Sequence, residues 1–292
     1  MTAEQLVSGS EVVLTDGSTG RYLASLGYAD IIPEQAVLSR PELISRIHTE
    51  YAQAGSQIVL SASFNATRIR LARYGLAEKA GEINRRAVAI ASETKKSFPG
   101  LLVAGDMGPA GELLQPFGAL SRQDAFDAFA EQAQTLTQAG ADFLLLETFF
   151  DLEELKVAFS ACAQASRLPV VACVTPADTP AASTVMGQSL EEIVRWAEEA
   201  HIPVLGVNCG VGSGRMAEIV TRLAGLTRIP LWAKPNAGIP EMTHGEVRYP
   251  EGPAEFAESC LRMAEAGCRF VGGCCGTTPS HIRQLAVRLG RR

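Results

Sequence analysis

Three cysteines in this chain sit where core packing does not require them: Cys209 in Asn208-Cys209-Gly210, and the adjacent Cys274 and Cys275 in Gly272-Gly273-Cys274-Cys275-Gly276. Cysteine is usually a small buried hydrophobe. That reading fits Cys162 and Cys260 on helical patterns, Cys173 inside an apolar run and Cys268 just before one. It fits the other three poorly, because the glycines around Cys274 and Cys275 leave room for close backbone approach. Adjacent Cα atoms lie about 3.8 Å apart, below the ~4.4–6.8 Å of an ordinary disulfide, so a 274–275 bridge would be strained. Seven cysteines, an odd number scattered over 292 residues, do not make a secreted disulfide framework either. Three thiolates at one point suit zinc, which takes sulfur at about 2.3 Å in a tetrahedron and, in catalytic sites, keeps one position open. The C-x-x-C pairs of a structural zinc site are absent, and His48, His201, His244 and His281 are not spaced as His-Glu-x-x-His. Three thiolates on a dication leave a net charge of about −1, which is poor for ionising water and good for holding a fourth sulfur. The chemistry expected is activation of a small thiol toward an electrophile.

The surrounding pattern puts these cysteines on one rim. A short apolar run, a polar turn and a helical pattern recur eight times. The runs are Val12–Thr15, Ile58–Ser61, Leu101–Gly105, Phe143–Leu146, Val170–Val174, Val204–Val207, Ile229–Ala233 and Arg269–Gly272. They are rich in Val, Ile and Leu without polar alternation, as strands buried on both faces are. Between them, Phe126, Phe129, Ala130 and Ala133 recur at helical spacing after a Ser121/Asp124 start. Leu190, Ile193, Val194 and Ala197 follow a Ser189/Glu192 capping box, and Ser39 with Glu42 makes a similar box ahead of Leu43, Ile44 and Ile47. Thr278-Pro279 reads as an N-cap with proline at the first helical position.

Eight strand–helix units predict an α/β fold, a (β/α)8 TIM barrel, as a single unit over residues 1–292; an open doubly wound sheet is the alternative. Chemistry in a barrel gathers at the C-terminal strand ends. There fall Asp16-Gly17-Ser18, Asp106, Glu147-Thr148, Asn208-Cys209, Lys234-Pro235-Asn236 and Cys274-Cys275. Asp16 and Glu147 are two rim acids able to pair with a cation; their bland alternatives are a turn residue and a helix N-terminal charge. Lys234 offers a Schiff-base aldolase as a rival reading, which leaves the cysteines unexplained. A non-enzymatic thiol sensor is a second rival and predicts reversible disulfides without stoichiometric zinc. Gly210-Val-Gly-Ser-Gly214 lacks the G-x-G-x-x-G spacing and reads as a flexible turn.

VGGCCGTTPSHI at residues 271–282 resembles the signature of the homocysteine S-methyltransferase family, as do VNCG at 207–210, DGSTG at 16–20 and KPNAG at 234–238. SFNATRIRLARYG (63–75) and ETFFDLEELKVA (147–158) most resemble the homocysteine module of cobalamin-dependent methionine synthases. The resemblance covers nearly the whole chain. It implies a barrel that binds Zn2+ through Cys209, Cys274 and Cys275, activates homocysteine as a zinc thiolate and methylates it to methionine. It also implies Asp16 and Glu147 at the substrate ammonium, the Gly17–Ser18 backbone near its carboxylate, and Asn208 among the substrate residues. Asn236 is implied to complete the zinc shell when no thiol is bound. Methionine synthases carry an ETNTFN stretch on strand two; the matching run here is Leu60-Ser61-Ala62-Ser63-Phe64-Asn65, a departure on the donor side of the pocket. No folate domain and no Asp-x-His-x-x-Gly cobalamin motif follows the barrel. The implied corrinoid donor is therefore carried by a separate protein, or this chain is an excised module. S-methylmethionine and betaine are the alternative donors, and a related thiol or selenol the alternative acceptor.

A net charge of −6 without a basic stripe gives no reason to expect a nucleic-acid partner. No apolar run reaches the ~18 residues of a membrane span. The opening MTAEQLVSGSE has neither a basic n-region nor an apolar h-region, so a cytoplasmic location is the expectation.

Overall fold

The apolar runs become eight parallel strands: β1 (Val13–Leu14), β2 (Ile58–Leu60), β3 (Leu102–Met107), β4 (Phe143–Phe149), β5 (Val170–Val174), β6 (Val204–Gly212), β7 (Leu231–Asn236) and, after a small antiparallel hairpin of β8 (Glu241–Thr243) and β9 (Glu246–Arg248), β10 (Cys268–Val271). The computed structural model describes residues 8–243 and 246–291. Residues 1–7 of the N-terminal stretch and His244, both read above, lie outside the described residues. The strand order is β1-β10-β7-β6-β5-β4-β3-β2. Its two ends meet through a parallel bridge between Thr15 and Ile58 and a 2.8 Å bond from Gln57 N–H to the Leu14 carbonyl. The sheet is thereby closed into a (β/α)8 barrel, and the open-sheet alternative is set aside.

Double-sided burial explains the unbroken apolar runs. One set of side chains, including Val13, Ile58, Leu102, Phe143, Leu145, Val171, Val204, Trp232 and Phe270, fills the barrel interior. There the Trp232 ring stacks on Phe270 at 5.3 Å and meets the edge of Phe143 at 6.1 Å. The alternate residues, such as Leu14, Val59, Val103, Leu144, Ala172, Leu205 and Val271, pack outward against the helices. Cys162, Cys173, Cys260 and Cys268 are all buried, as small hydrophobes are.

Local signals set most helix ends. Ser189 Oγ accepts the Glu192 N–H at 3.2 Å while Glu192 Oε2 accepts the Ser189 N–H at 2.7 Å. Ser121 Oγ accepts the Asp124 N–H at 3.0 Å. Thr278 caps the helix Pro279–Arg288. The Ser39/Glu42 box does not form. Ser39 instead ends a separate helix, Pro33–Ser39, with its Oγ donating to the Gln35 carbonyl, and the next helix starts at Pro41. Pro41 has a fixed φ and no N–H, so it opens a helix without needing a cap at that position.

Strand ends differ from the sequence reading in an instructive way. β7 begins at Leu231 rather than Ile229, because the Ile229 N–H turns to Thr227 Oγ1 and Pro230 has no donor for the ladder. β3, β4 and β6 run past their apolar cores to include Asp106, Glu147, Thr148, Asn208 and Cys209. Gly210–Gly214 is not a free turn: it ends β6 and begins the helix Ser213–Leu226. Among the described residues, no helix is long and apolar enough to cross a membrane.

One buried group makes acid stability testable. His48, in the helix Pro41–Gln53, is fully buried, and among the described residues neither ring nitrogen has a hydrogen-bond partner. Burial pushes its pKa from 6.5 down to about 4. Between those values the unfolded chain binds a proton that the folded chain does not, so stability falls as pH drops through that window. The full shift corresponds to about 3 kcal/mol. His48→Leu is therefore expected to lose less stability than the parent protein between pH 6.5 and pH 4 in urea unfolding. Identical acid slopes for the two proteins would contradict this.

Candidate active site

The end of β6 and the loop after β10 bring Cys209, Cys274 and Cys275 together. Their sulfurs all lie within 4.8 Å of one another, with Cys209 and Cys275 at 4.0 Å. Bonds of ~2.3 Å to a tetrahedral zinc would space the sulfurs by roughly 3.8 Å, close to the observed 4.0 Å between Cys209 and Cys275. Main-chain bonds hold the loop in place. The Cys274 N–H donates to the Pro235 carbonyl at 2.8 Å, and the Gly273 N–H donates to the Asp16 carbonyl at 2.9 Å. The Cys275 N–H donates to Asn236 Oδ1 at 3.1 Å. Asn236 thus anchors the cysteine loop with the oxygen that sequence reading had set aside for the metal.

The sulfurs compete for negative charge. Hydrogen bonds from the Cys209 and Cys274 thiols hold Cys275 well below the usual thiol range, and the Tyr249 hydroxyl adds another. The complementary bonds to Cys209 and Cys275, with burial, push Cys274 up. One thiolate is favoured by itself; a dication is what allows all three to ionise together.

Cys209 and Thr148 are non-glycine residues at positive φ, +59° and +67°. For a β-branched residue such as Thr148 this is strained and must be held from outside. Asn208 does so. Its Oδ1 accepts the Thr148 N–H at 2.8 Å, its Nδ2 donates to Thr148 Oγ1 at 2.7 Å, and Nδ2 lies 3.9 Å from the Cys274 sulfur. Asn208 is fully buried and does not line the cavity. The resemblance implies Asn208 among the substrate residues; here its side chain joins β4, β6 and the cysteine loop.

The three cysteines face a cavity of about 260 Å³, lined also by Gly17, Ser18, Glu147 and Lys234 and, further round, by Glu34, Leu60, Ala62, Phe64 and Asp106. Gly17 must be glycine, because a Cβ there would fall 2.6 Å from Thr277 Oγ1 and 2.7 Å from the Tyr51 hydroxyl. The Ser18 N–H donates to Thr277 Oγ1 at 3.2 Å. Asp16 lies outside the lining, with both oxygens engaged: Oδ1 accepts from Lys234 Nζ at 3.0 Å and Oδ2 accepts the Leu60 N–H at 2.8 Å. The resemblance implies Asp16 at the substrate ammonium; here its buried partner is Lys234.

Burial favours a neutral amine at Lys234, but Asp16 and then Glu147, at 3.8 Å, outweigh it and hold the lysine above its usual range. A Schiff-base lysine needs a neutral amine, so the aldolase reading loses its support. Burial pushes Glu147 up against the pull of Lys234. Burial, with Glu147 next, pushes Asp106 well above the usual carboxylate range. Sequence reading gave no role to Asp106, Glu34, Tyr51 or Thr277. Asp106 carried the one usable signal, its place at a strand end, but nothing along the chain says what it faces.

Residues 13–289 match the family described as homocysteine S-methyltransferase. The chain is 34% identical over 263 residues to a methionine synthase of Mycobacterium leprae (strain TN), which covers 87% of this chain and 22% of that protein. It is 32% identical over 306 residues to the methionine synthase of Mycobacterium tuberculosis (strain ATCC 25618 / H37Rv), covering 96% of this chain and 25% of that one. The chain thus spans a quarter or less of the length of these curated relatives. Among solved structures, the oxidized form of the homocysteine methyltransferase MmuM from Escherichia coli superposes with a TM-score of 0.81 at 26% identity, covering 98% of both chains. The metallated form of that protein superposes with a TM-score of 0.80 at 24% identity, covering 97% of this chain and 98% of that one, which concerns the fold alone.

Proposed function

The chain belongs to the homocysteine S-methyltransferase family, and from that premise we propose that its barrel methylates the sulfur of homocysteine to give methionine, with Zn2+ held by Cys209, Cys274 and Cys275. The observation that carries this reading is the convergence of three sulfurs within 4.8 Å at the wall of a cavity that also presents carboxylates. When bound, the metal supplies a lower thiol pKa and a sulfur that stays nucleophilic on an electron-rich centre.

The chain's own residues do the rest. Glu147 lines the cavity and faces the substrate ammonium. The Gly17–Ser18 backbone, kept open by the missing side chain at Gly17, lies near the substrate carboxylate. Asn208 fixes the strained Thr148 and so the aim of Glu147 beside it. The substrate thiol loses its proton, its sulfur attacks the methyl carbon, and the donor leaves with the electron pair of the broken bond. Segments 63–75 and 147–158 support a corrinoid donor carried on another polypeptide or another part of a longer one; S-methylmethionine and betaine are the alternatives.

The test is calorimetry and zinc X-ray absorption on purified protein. A free thiol has a pKa of about 8.5, so homocysteine that binds as thiolate at pH 7 should release close to one proton. The sulfur neighbours of zinc should rise from about three to four. No fourth sulfur at saturating homocysteine overturns the reading, and a disulfide without zinc would favour the sensor. A turnover screen with methylcobalamin, S-methylmethionine and betaine assigns the donor.

A further inference from the structure

A zinc that carries three protein thiolates and a substrate thiolate holds four nucleophilic sulfurs, and only one of them is to be methylated. The chain supplies a hydrogen-bond donor to each of its own three. Asn208 Nδ2 lies 3.9 Å from the Cys274 sulfur, and its amide is fixed the right way round because Oδ1 accepts the Thr148 N–H. Cys209 and Gly210 both have positive φ, +59° and +75°, and the Gly210 N–H donates to the Cys209 sulfur. The Tyr249 hydroxyl donates to the Cys275 sulfur. The Tyr249 ring is held in place. A Cβ on Gly276 would fall 2.2 Å from Tyr249 Cγ, the Arg21 guanidinium lies 5.7 Å from the ring centroid, and Arg21 Nη2 donates to the Val247 carbonyl at 2.7 Å. Two residues on, the Glu251 N–H donates to the Ala237 carbonyl at 3.1 Å, and the Ala237 N–H donates to the Cys275 carbonyl at 2.9 Å, which laces the segment after β9 to the cysteine loop. Asn208, Gly210 and Tyr249 all lie outside the cavity lining, so these donors reach the sulfurs away from the cavity and leave its side of the centre to the substrate.

We propose that Asn208, Gly210 and Tyr249 damp the nucleophilicity of the three protein thiolates, with Tyr249 as the donor that protects Cys275, so that the methyl group goes to the substrate sulfur and not to the chain. This rests on the thiol-methylation reading above and names what decides which sulfur on the metal reacts. A donor on a thiolate stabilises its lone pair through a charge-assisted hydrogen bond, and that stabilisation is lost as the sulfur becomes a neutral thioether. Outer contacts of this kind tune a metal ligand without touching the metal. The misdirected reaction would have the Cys275 sulfur attack the methyl carbon while the donor leaves with the electron pair of the broken bond. Its product, S-methylcysteine, replaces an anionic ligand by a neutral one and weakens the centre. Tyr249 is thus a specificity-determining residue that sets which sulfur is methylated.

The test uses the zinc-loaded full chain, as parent and as Tyr249→Phe, treated with methyl iodide in the absence of homocysteine. Phenylalanine keeps the ring against Gly276 and Arg21 and removes only the hydroxyl. Elemental analysis measures zinc before the reagent is added, and peptide mass spectrometry follows the initial methylation rate of each cysteine. The two proteins should hold equal zinc. Cys275 should be methylated roughly tenfold faster in the variant, the effect of one charge-assisted hydrogen bond, while Cys209 and Cys274 keep their parental rates. The buried Cys162, Cys173, Cys260 and Cys268 should stay unmodified in both. Equal Cys275 rates, or a uniform rise at all three sulfurs, overturn the proposal. Loss of zinc from Tyr249→Phe overturns it too, because the hydroxyl would then serve to retain the metal. No substrate is present in this assay, so each of these failures leaves the thiol-methylation reading standing; that reading falls only on the homocysteine experiments above.

Discussion

Alanine at Cys209, Cys274 or Cys275 should take zinc from about one ion per chain to near zero, and homocysteine methylation should fall by on the order of a thousandfold or more. A centre with three protein ligands cannot lose one and keep a catalytic ion tightly, because two thiolates and solvent hold it far less well. The barrel should survive. Its closure depends on strand ladders and the Thr15–Ile58 bridge, and the cysteine loop is held by main-chain bonds to Pro235, Asp16 and Asn236. Each variant should therefore show an unchanged far-ultraviolet spectrum beside elemental analysis that finds little zinc. Cys173→Ala is the control: Cys173 lies inside the barrel core, away from the cavity, so zinc should remain. Full zinc retention in all three single variants would overturn the centre.

Lys234→Met should destabilise the fold by about 3–5 kcal/mol, the range for removing one partner of a buried ion pair. Asp16 is fully buried and would keep only the Leu60 N–H. Adding Asp16→Asn should recover most of the loss, because an amide oxygen can still accept that N–H without a charge. Urea unfolding of the two single variants and the double variant measures the coupling. Penalties that simply add would show that the two residues do not act as a pair. The pH dependence follows from the folded values of both groups. Lys234 titrates above its ordinary 10.5 in the fold, so its contribution is present below 10.5 and lost as pH rises through the higher folded value. Burial outweighs the pull of Lys234 and holds Asp16 above its ordinary 3.8 in the fold, so its charge costs stability at neutral pH, and more so once the lysine is removed. The deficit of Lys234→Met should thus be largest near neutrality and narrow on acidification, as Asp16 takes up a proton.

The eight strands were legible because burial on both faces leaves apolar runs without alternation, and the rim was legible because polar residues follow those runs. Ser189 and Ser121 were legible as caps since a cap is a contact between neighbours in the chain. Ser39 misled for the same reason: its local pattern is right, but Pro41 two residues on starts the next helix without it. The extension of β3, β4 and β6 was hidden, since polar residues at a strand end look the same whether they meet solvent or line a cavity.

By itself, the sequence determined the class of chemistry and its address. Cysteines among glycines at the ends of two strands, and acids at the ends of others, are statements about residue type and position, which a chain carries openly. The tertiary structure decided who faces whom. Barrel closure sets Asp16 against Lys234, 218 positions away, and turns Asn208 toward Thr148 rather than into the cavity. It also leaves Asp106 Oδ1 without a hydrogen-bond partner among the described residues and sets Lys234 3.8 Å from Glu147 Oε2. Those facts depend on long-range electrostatics and on which lone pairs are already taken. Both are properties of distances across a closed barrel, and spacing along the chain does not encode them.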